Sequence, residues 1–490
     1  MRLDIRAGLL LLSCLVQLPA CEGRQAARQA LIPLEPCQLE GLGSPALCGR
    51  YEVFENRASR KGRKIELALA VVPALSGDPA PDPVFILAGG PGQSALEVGP
   101  VIVRALEKVR RKRDFVLLDQ RGTGRSHPLD CRGQDDDRLA TLFREDLLPA
   151  EELSRCLAEL DADPRQYTTP IAMDDLDEVR AALGYERVNL WGASYGTRAA
   201  LVYIRRHADH ARAAVLDGVA PPTMPLPLYF ARDGQRALDK LIEACRSEPA
   251  CHESFPRLAS DIRTLLERLE KRPARISVAH PRSGRIEEVT ITRDAFAGNL
   301  RSFLYSPQLA SLVPLAVARA IEGDFAIFVT LSYALSQSIE ESMSYGMTLS
   351  VVCSEDVPRF SPEDAVMAAT DTFLGDLAAR AFSEACELWP RAELPPDDAE
   401  PVRSSVPVLL LSGELDPVTP PAWAEEAAAH LTSSRHLVVP GVGHGTTLEG
   451  CVPEIVARFI ETADPSAPEA ACLERLERGP FFVSFAGPIP

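Results

Sequence analysis

The stretch Arg187-Val-Asn-Leu-Trp-Gly-Ala-Ser-Tyr-Gly196 contains an apolar strand, a glycine-x-serine-x-glycine pentapeptide and the start of a helix. In this strand–turn–helix setting, the pentapeptide predicts a sharp turn that exposes the serine above a sheet. Glycine at positions 192 and 196 removes side chains that would collide across so tight a turn. Ser194 would then stand at the positive end of the helix, where developing negative charge is stabilised. The stretch therefore predicts Ser194 as a nucleophile.

Further strands are predicted on both sides of this turn. Continuous apolar runs are typical of strands that are buried on both faces of a parallel sheet. Such runs occupy residues 83–88, 114–119, 187–191, 213–217, 406–411 and 435–439. A first pair of strands is predicted at 51–55 and 64–72, and helices are predicted at about 172–183 and from the serine turn to Arg206. Alternating strands and helices predict the α/β class, with a mostly parallel, doubly wound sheet.

The strand–helix pattern is interrupted after Ala220-Pro-Pro222. Residues 223–400 have helical periodicity without clear buried strands, and a proline-rich stretch between Pro390 and Pro401 closes the segment. Open parallel sheets bind ligands at the carboxyl ends of their strands. We therefore expect a helical cap at 223–400 that roofs the site. The sheet domain would consist of residues 22–222, with 22–48 as a connecting arm, and 401–490.

A serine hydroxyl becomes nucleophilic when a base takes its proton, so a histidine partner is expected. His444 is the candidate because it lies in a glycine-rich loop after the last predicted strand; His436, inside that strand, is the nearest competitor. The base needs a carboxylate to hold its tautomer. Asp416, on the loop after the penultimate strand, is favoured over its rival Glu414. The chain order serine, aspartate, histidine is that of α/β-hydrolases.

The first buried strand runs into the loop Ala88-Gly-Gly-Pro-Gly92. In α/β-hydrolases a loop at this place supplies one backbone N–H to the oxyanion of acyl transfer, and the residue after the nucleophile supplies another. The N–H groups of Gly90 and Tyr195 are therefore the predicted donors. A phosphate-binding loop is disfavoured, since the stretch lacks both the Gly-Lys-Ser/Thr ending and the G-x-G-x-x-G spacing. Neither a cofactor nor a metal ion is predicted.

Composition and the first residues bear on partners and location. The 490 residues carry a formal net charge of −17, and an acidic surface argues against nucleic acid as a partner. Residues 1–21 predict an export signal, because two arginines precede an apolar run too short to span a bilayer. The break Leu18-Pro-Ala-Cys21 resembles a bacterial lipobox. It predicts lipidation of Cys21 and a cell-envelope location, with membrane contact only through that lipid; ordinary cleavage to a periplasmic or extracellular protein is the alternative.

Cysteine usage agrees with export. Of the 12 cysteines, ten follow the signal, and they fall along the chain as close neighbours. Oxidising compartments permit disulfides, so neighbour pairing would close five local loops, although sequence alone leaves the connectivity open. The proposed pairs are Cys37–Cys48, Cys131–Cys156, Cys245–Cys251, Cys353–Cys386 and Cys451–Cys472. Unpaired buried thiols are the alternative.

Three motifs in register resemble the proline iminopeptidase and tripeptidyl aminopeptidase family. They are Gly89-Gly-Pro-Gly92, Asp119-Gln-Arg-Gly-Thr-Gly-Arg-Ser126 and Trp191-Gly-Ala-Ser-Tyr-Gly-Thr197. Residues 401–490 resemble the tripeptidyl-aminopeptidase-like (TAP-like) C-terminal region of that family, so the resemblance covers nearly all of the chain after the signal. One departure is Ala88, where relatives often carry histidine, and the packing of the first loop is expected to differ.

This resemblance implies an exported serine hydrolase that removes residues from the free amino end of short peptides. Anionic groups in the cap would have to hold the substrate ammonium. Glu355 and Asp356 are the candidates, followed by Glu340 and Glu341, and a solvated acidic turn is the alternative for each. The same catalytic residues would serve a carboxylesterase acting on small acyl esters. A catalytically silent binding protein is a third hypothesis, disfavoured because the set of catalytic residues is complete.

Overall fold

The structure, a computed structural model, describes residues 32–131, 138–144, 146–340 and 342–488, and for 337–340 the backbone alone. In this part of the chain the strands are β1 (Glu35–Cys37), β2 (Ala46–Phe54), β3 (Lys64–Val72), β4 (Val84–Leu87), β5 (Phe115–Leu118), β6 (Val188–Ala193), β7 (Ala211–Asp217), β8 (Ala274–Ala279), β9 (Ile286–Ile291), β10 (Val408–Gly413) and β11 (Ser434–Val439). The α-helices are α1 (Ala95–Ala105), α2 (Glu107–Arg110), α3 (Ala150–Glu159), α4 (Thr169–Ala182), α5 (Tyr195–His207), α6 (Phe230–Ser247), α7 (Pro249–Ser254), α8 (Leu258–Lys271), α9 (Arg293–Phe303), α10 (Pro307–Ala310), α11 (Val313–Ile321), α12 (Ala326–Glu340), α13 (Tyr345–Glu355), α14 (Pro362–Ala368), α15 (Leu377–Leu388), α16 (Pro421–Ala428) and α17 (Val452–Thr462).

Nine of these described strands form one sheet in the order β1-β2-β3-β5-β4-β6-β7-β10-β11. The strands from β1 to β3 are antiparallel, as is the pairing of β3 with β5, and all pairings from β5 to β11 are parallel. Every residue of β4 and β5 is buried, as a strand covered on both faces requires. The predicted mostly parallel, doubly wound sheet is therefore confirmed.

Two hydrophobic clusters cover the two faces of the sheet. Alternate residues of a strand point to opposite faces; in β5, Val116 and Leu118 join one cluster, and Phe115 and Leu117 join the other. The first cluster includes residues of α4 and α5, and the second includes residues of α1 and α17. This sandwich brings the carboxyl ends of the parallel strands to one end of the sheet, where the loops with the predicted site residues begin.

The cap, residues 223–400, lies between β7 and β10 in the chain, and its hydrophobic core also takes in Leu139, Phe143 and Phe481 from outside that segment. In that core the Phe296 and Phe328 rings stack with their centroids 4.6 Å apart. The cap is mostly helical, but β8 and β9 pair as an antiparallel hairpin within it. The expectation of a segment without strands missed this hairpin because residues of β8 alternate between half-buried and exposed, and a continuous apolar run is therefore lacking.

Both ends of the described chain differ from the expectation. The predicted connecting arm at 22–48 contains β1 and the beginning of β2, which extend the sheet at its antiparallel edge. Beyond α17, the chain returns to the cap: Phe481 is fully buried in the cap core, and the Arg478 guanidinium lies 2.6 Å from the Glu248 carboxylate. The C-terminal residues therefore fasten the cap to the sheet domain.

Five disulfides join the predicted neighbour pairs: Cys37–Cys48, Cys131–Cys156, Cys245–Cys251, Cys353–Cys386 and Cys451–Cys472. Disulfides persist in oxidising compartments, so this is an exported protein. None of the helices in the described ranges combines the length and apolarity that crossing a bilayer requires. The predicted signal with Cys21, the residue Glu341 and the side chain of Glu340 lie outside the described residues.

Candidate active site

Ser194 occupies a strained turn between β6 and α5. Its backbone has φ +56° and ψ −124°, a conformation that non-glycine residues rarely adopt and that costs on the order of 1–3 kcal/mol. Three hydrogen bonds hold it there: the Ser194 N–H donates to the Asp217 carbonyl at 2.9 Å, and Thr197 donates to the Ser194 carbonyl from its N–H at 2.9 Å and its hydroxyl at 2.6 Å. The turn therefore presents the serine at the carboxyl end of β6.

The two glycines of the pentapeptide are required by close backbone contacts. A Cβ atom on Gly192 would lie 2.3 Å from the Gly196 carbonyl oxygen, and one on Gly196 would lie 2.1 Å from the Leu87 carbonyl oxygen of β4. Atoms at such distances overlap, and backbone atoms cannot move aside cheaply. The steric reason inferred from the sequence is confirmed for Gly192, and the structure adds the neighbouring strand as the obstacle at Gly196.

His444 and Asp416 form a hydrogen-bonded pair, in which the Asp416 side chain is buried and the His444 side chain is partly exposed. The His444 Nδ1 atom lies 2.8 Å from the Asp416 Oδ2 atom, and the His444 N–H donates to the Tyr305 carbonyl of the cap at 2.8 Å. Asp416 is completely buried, and its Oδ1 atom accepts from the N–H groups of Val418 and Thr419, both at 2.8 Å. These bonds fix the carboxylate so that one oxygen remains directed at the imidazole.

The two rival side chains have other partners. Glu414 accepts from the Lys240 ammonium at 2.8 Å and from the Gly441 N–H at 3.2 Å. The Nε2 atom of His436 lies 3.0 Å from the hydroxyl of Ser412 on the neighbouring strand β10. The geometry therefore selects Asp416 and His444 from the candidates that the sequence left open.

The pair also controls the protonation of its members. Burial alone would lower the pKa of His444, but the negative charge of Asp416 and its hydrogen bond outweigh burial and raise that pKa above its ordinary value. Burial would raise the pKa of Asp416, yet the His444 imidazole and the backbone N–H donors hold it below its usual range. Asp416 therefore stays ionised, and it stabilises the imidazolium that forms when His444 accepts a proton.

Ser194 and His444 both lie against the end of β7. The Ser194 N–H is bonded to Asp217, and a Cβ atom on the next residue, Gly218, would lie 3.3 Å from the His444 ring. Glycine at 218 thus leaves room for the imidazole. Within the described residues, the Ser194 hydroxyl and the imidazole are not yet joined by a hydrogen bond. Such bonds are often long in enzymes without substrate and tighten when substrate binds.

The two predicted oxyanion donors lie beside the serine. Tyr195 is the first residue of α5, and Gly90 follows Gly89, on which a Cβ atom would lie only 3.3 Å from the Ser194 Cβ atom. Neither the Gly90 N–H nor the Tyr195 N–H donates a hydrogen bond to another residue in the described ranges. Both are therefore free to bind a negatively charged oxygen.

The cap holds this loop in place. The Ser344 N–H donates to the Gly92 carbonyl at 3.0 Å, and the Thr348 hydroxyl donates to the Pro91 carbonyl at 2.5 Å. Cap residues before and within α13 thus set the position of the loop that carries Gly90. A coupling between the cap and the oxyanion donors follows from these bonds.

Glu355 and Asp356, expected to hold a substrate ammonium, are used inside the protein. The two oxygens of Glu355 accept from the N–H and the hydroxyl of Thr169 at 2.6 and 2.8 Å, and Asp356 pairs with the Arg198 guanidinium at 2.9 Å. Burial raises the pKa of Glu355 to about 7. The Thr169 hydroxyl also bonds the Tyr195 hydroxyl at 2.7 Å, so this network braces α5 beneath the serine. Both carboxylates therefore have partners inside the protein, and their role as an amine site stays a prediction.

Two supporting residues, Asp217 and Thr419, were missed by the sequence reading. The carboxylate of Asp217 accepts from the N–H and hydroxyl groups of both Thr446 and Thr447, at 2.7 to 2.9 Å, and anchors the loop just after His444. The Thr419 hydroxyl lies 2.8 Å from Asp416 Oδ2 and 3.2 Å from His444 Nδ1. The position of Asp217 at the end of the buried strand β7 was a signal from which its supporting role could have been predicted.

One group in the described part of the chain has the atoms for a metal site: Asp177, His207 and His210, outside the site above. The Asp177 carboxylate already accepts hydrogen bonds from the Arg180 guanidinium at 2.7 Å and from the Tyr203 hydroxyl at 2.8 Å. These partners satisfy the oxygen that a metal ion would need. The group is explained as a hydrogen-bonded surface network.

Two family models match the chain. One, described as the alpha/beta hydrolase fold, matches residues 82–282, and the other, described as TAP-like protein, matches residues 371–472. The serine protease Hip1 of Mycobacterium tuberculosis is 26% identical over 446 residues, covering 85% of each chain. The tripeptidyl aminopeptidase of Streptomyces coelicolor is 30% identical over 224 residues, covering 42% of this chain and 41% of its own. The proline iminopeptidase of Neisseria gonorrhoeae is 28% identical over 149 residues, covering 29% and 34%.

Proposed function

We propose that this chain, an α/β hydrolase with a TAP-like C-terminal region and a serine hydrolase of that family, removes residues from the free amino end of short peptides. The observation that carries the proposal is the 2.8 Å bond between His444 and Asp416 at the same end of the sheet as Ser194. Two N–H groups without partners in the described residues, those of Gly90 and Tyr195, stand beside that serine. This set suits acyl transfer to the serine hydroxyl.

The proposed reaction proceeds through an acyl-enzyme. Ser194 Oγ attacks the scissile carbonyl carbon while its proton passes to His444 Nε2, and the N–H groups of Gly90 and Tyr195 bind the resulting oxyanion. The tetrahedral intermediate breaks its C–N bond, and His444 returns the proton to the leaving amine. Water, deprotonated by His444, then attacks the acyl-enzyme and releases the carboxylic acid and the free serine. Asp416 keeps the imidazole oriented in both halves.

The names of the relatives support a peptide bond as the target, since they include a serine protease, a tripeptidyl aminopeptidase and a proline iminopeptidase. The same catalytic residues hydrolyse esters when the binding site admits them. A carboxylesterase acting on small acyl esters is therefore the alternative function. What distinguishes the two is dependence on a free substrate amine.

Blocking the substrate amine is expected to lower kcat/KM roughly 10- to 100-fold, the range for losing a charge-assisted hydrogen bond. The measurement compares a tripeptide 4-nitroanilide with its N-acetyl form, and 4-nitrophenyl butyrate serves as the ester control. Equal turnover of the free and acetylated anilides would rule out an aminopeptidase. Turnover of the ester without either anilide would establish the carboxylesterase instead.

We further propose that the exported protein is held at the bacterial cell envelope by a lipid on Cys21. The support is the sequence Leu18-Pro-Ala-Cys21 after a short apolar run. Metabolic labelling with an alkynyl fatty acid should tag the native protein and leave the Cys21→Ser variant untagged and unanchored. The matched control Cys14→Ser, within the apolar run, should keep the tag. Export of an untagged native protein would indicate ordinary signal cleavage.

A further inference from the structure

Arg301, on cap helix α9, is a buried guanidinium without a negatively charged partner in the described residues. Only 8% of the residue is exposed, and its Nε and Nη2 atoms are buried without a hydrogen-bond partner. Its Nη1 atom makes one long contact, 3.5 Å to the Tyr305 hydroxyl. The other buried arginines of the described residues each have a carboxylate partner: Arg113 pairs with Asp82, Arg121 with Asp175, Arg180 with Asp177 and Arg198 with Asp356.

An unpaired buried charge destabilises a fold, because the cost of removing it from water is not recovered by a partner. Two aromatic rings recover part of that cost: the Arg301 Cζ atom lies 4.3 Å from the Phe230 ring centroid and 5.5 Å from that of Tyr305. Such contacts stabilise the charge through the faces of the rings but leave the Nε and Nη2 groups unsatisfied. Those N–H groups are the feature to be explained.

The position of Arg301 connects it to the proposed active site. The Tyr305 ring meets the His444 ring edge-on, with centroids 5.2 Å apart. The backbone N–H of His444 also donates a hydrogen bond to the Tyr305 carbonyl. The charge of Arg301 also opposes protonation of His444 and thereby lowers its pKa, against the larger raising effect of Asp416. Arg301 therefore lies in the immediate surroundings of His444, the proposed catalytic base.

We propose that Arg301 and the Tyr305 hydroxyl form a subsite for a carboxylate on the leaving part of the substrate. The guanidinium fork matches a carboxylate in shape and charge. The Tyr305 hydroxyl accepts from Arg301, so its own hydrogen remains available to the same anion. This inference rests on the proposed function and names its substrate class: short peptides with a free C-terminal carboxylate.

The chemistry of His444 indicates that the carboxylate bound by Arg301 belongs to the leaving fragment of the substrate. The imidazole returns its proton to the leaving nitrogen, so the departing residue passes the base. In a short leaving fragment the α-carboxylate is only a few bonds from that nitrogen, within the neighbourhood that Tyr305 and Arg301 share. The positive charge also repels the substrate ammonium, which keeps the amino end of the peptide away from the leaving side. Arg301 would thus both select the substrate and orient it.

The test compares tetraalanine with tetraalanine amide in the native protein and in Arg301→Gln. The native kcat/KM should favour the free acid roughly 10- to 100-fold, the range for a charge-assisted hydrogen bond, and Arg301→Gln should bring that ratio close to one. Arg301→Lys, which keeps the charge without the fork, should retain part of the preference. Arg246→Gln removes an exposed cap arginine paired with Glu243, and it should keep the native ratio.

Several results would overturn the subsite. A native ratio near one would do so, as would an unchanged ratio in Arg301→Gln, including the case in which both substrates slow equally because the arginine is only structural. A second pair of substrates carries Glu or Gln on the acyl side of the scissile bond. If Arg301→Gln changes the Glu/Gln ratio and leaves the acid/amide ratio intact, the carboxylate comes from the acyl side and the leaving-side assignment fails.

The failure of the proposed function is separable from that of the subsite. If the native protein cleaves no peptide but cleaves esters, the comparison moves to 4-acetoxybenzoate and 4-acetoxybenzamide, whose leaving groups differ only in the carboxylate. A preference for the benzoate that Arg301→Gln abolishes would support the subsite without a peptidase. No preference, or one that the substitution leaves unchanged, would overturn it. Fluorophosphonate labelling of Ser194 in each variant verifies that the active site has folded.

Discussion

Replacing Ser194 with alanine should lower kcat about 10⁶-fold, the scale seen when a serine and histidine that act as one unit lose either member. The alanine keeps the strained turn, since the hydrogen bonds at φ +56° involve backbone atoms of residue 194. The oxyanion donors also remain, and they sustain a residual rate above that in water. The loss therefore measures the attacking hydroxyl itself.

Hydrolysis of a 4-nitroanilide and labelling by a fluorophosphonate check this result together. Ser194→Ala should lose both, and the exposed-turn control Ser76→Ala should keep both. The double variant Ser194→Ala, His444→Ala should be little slower than Ser194→Ala alone, because a histidine base without its serine has no proton to accept. Labelling of any other residue in Ser194→Ala would show that the nucleophile is elsewhere.

Replacing Asp416 with asparagine is expected to lower kcat about 10⁴-fold with little change in fold. Asparagine has nearly the same shape and still accepts the Val418 and Thr419 N–H groups through its oxygen. That leaves its amide nitrogen facing His444 Nδ1, which forces the imidazole into the wrong tautomer. The neutral amide also no longer stabilises the imidazolium.

The pH dependence of kcat/KM tests the same substitution, because the direction in which its acidic limb moves can be predicted. His444 acts as a base in its neutral form, so kcat/KM falls as pH drops through its pKa, which Asp416 raises above the ordinary value of 6.5. Without the negative charge that pKa falls, and the acidic limb of the profile should move to lower pH in Asp416→Asn. Glu414→Gln is the matched control, with an expected loss below about ten-fold and an unmoved limb. A large loss in Glu414→Gln with a small one in Asp416→Asn would reverse the assignment.

The sequence alone determined those features that depend on neighbours in the chain. Residues 187–196 predict strand, turn and helix, since the steric demand at Gly192 arises within five residues. Apolar runs predict buried strands for the same reason, and their alternation with helices limits the topology to a parallel sheet. Local cysteine spacing likewise favoured the five neighbour pairs, although only the structure fixed the connectivity.

Tertiary structure decided whatever depends on contacts between distant residues. The choice of Asp416 over Glu414 follows from which carboxylate faces His444, and that is set by how two loops pack at the end of the sheet. An acidic pair in the sequence does not reveal that Arg198, more than 150 residues away, already neutralises Asp356. Nor does the sequence of α9 reveal that Arg301 has no carboxylate partner among the residues that the structure describes. The sequence specifies the chemistry of each side chain, but which partner a charged side chain contacts is decided only when the chain folds.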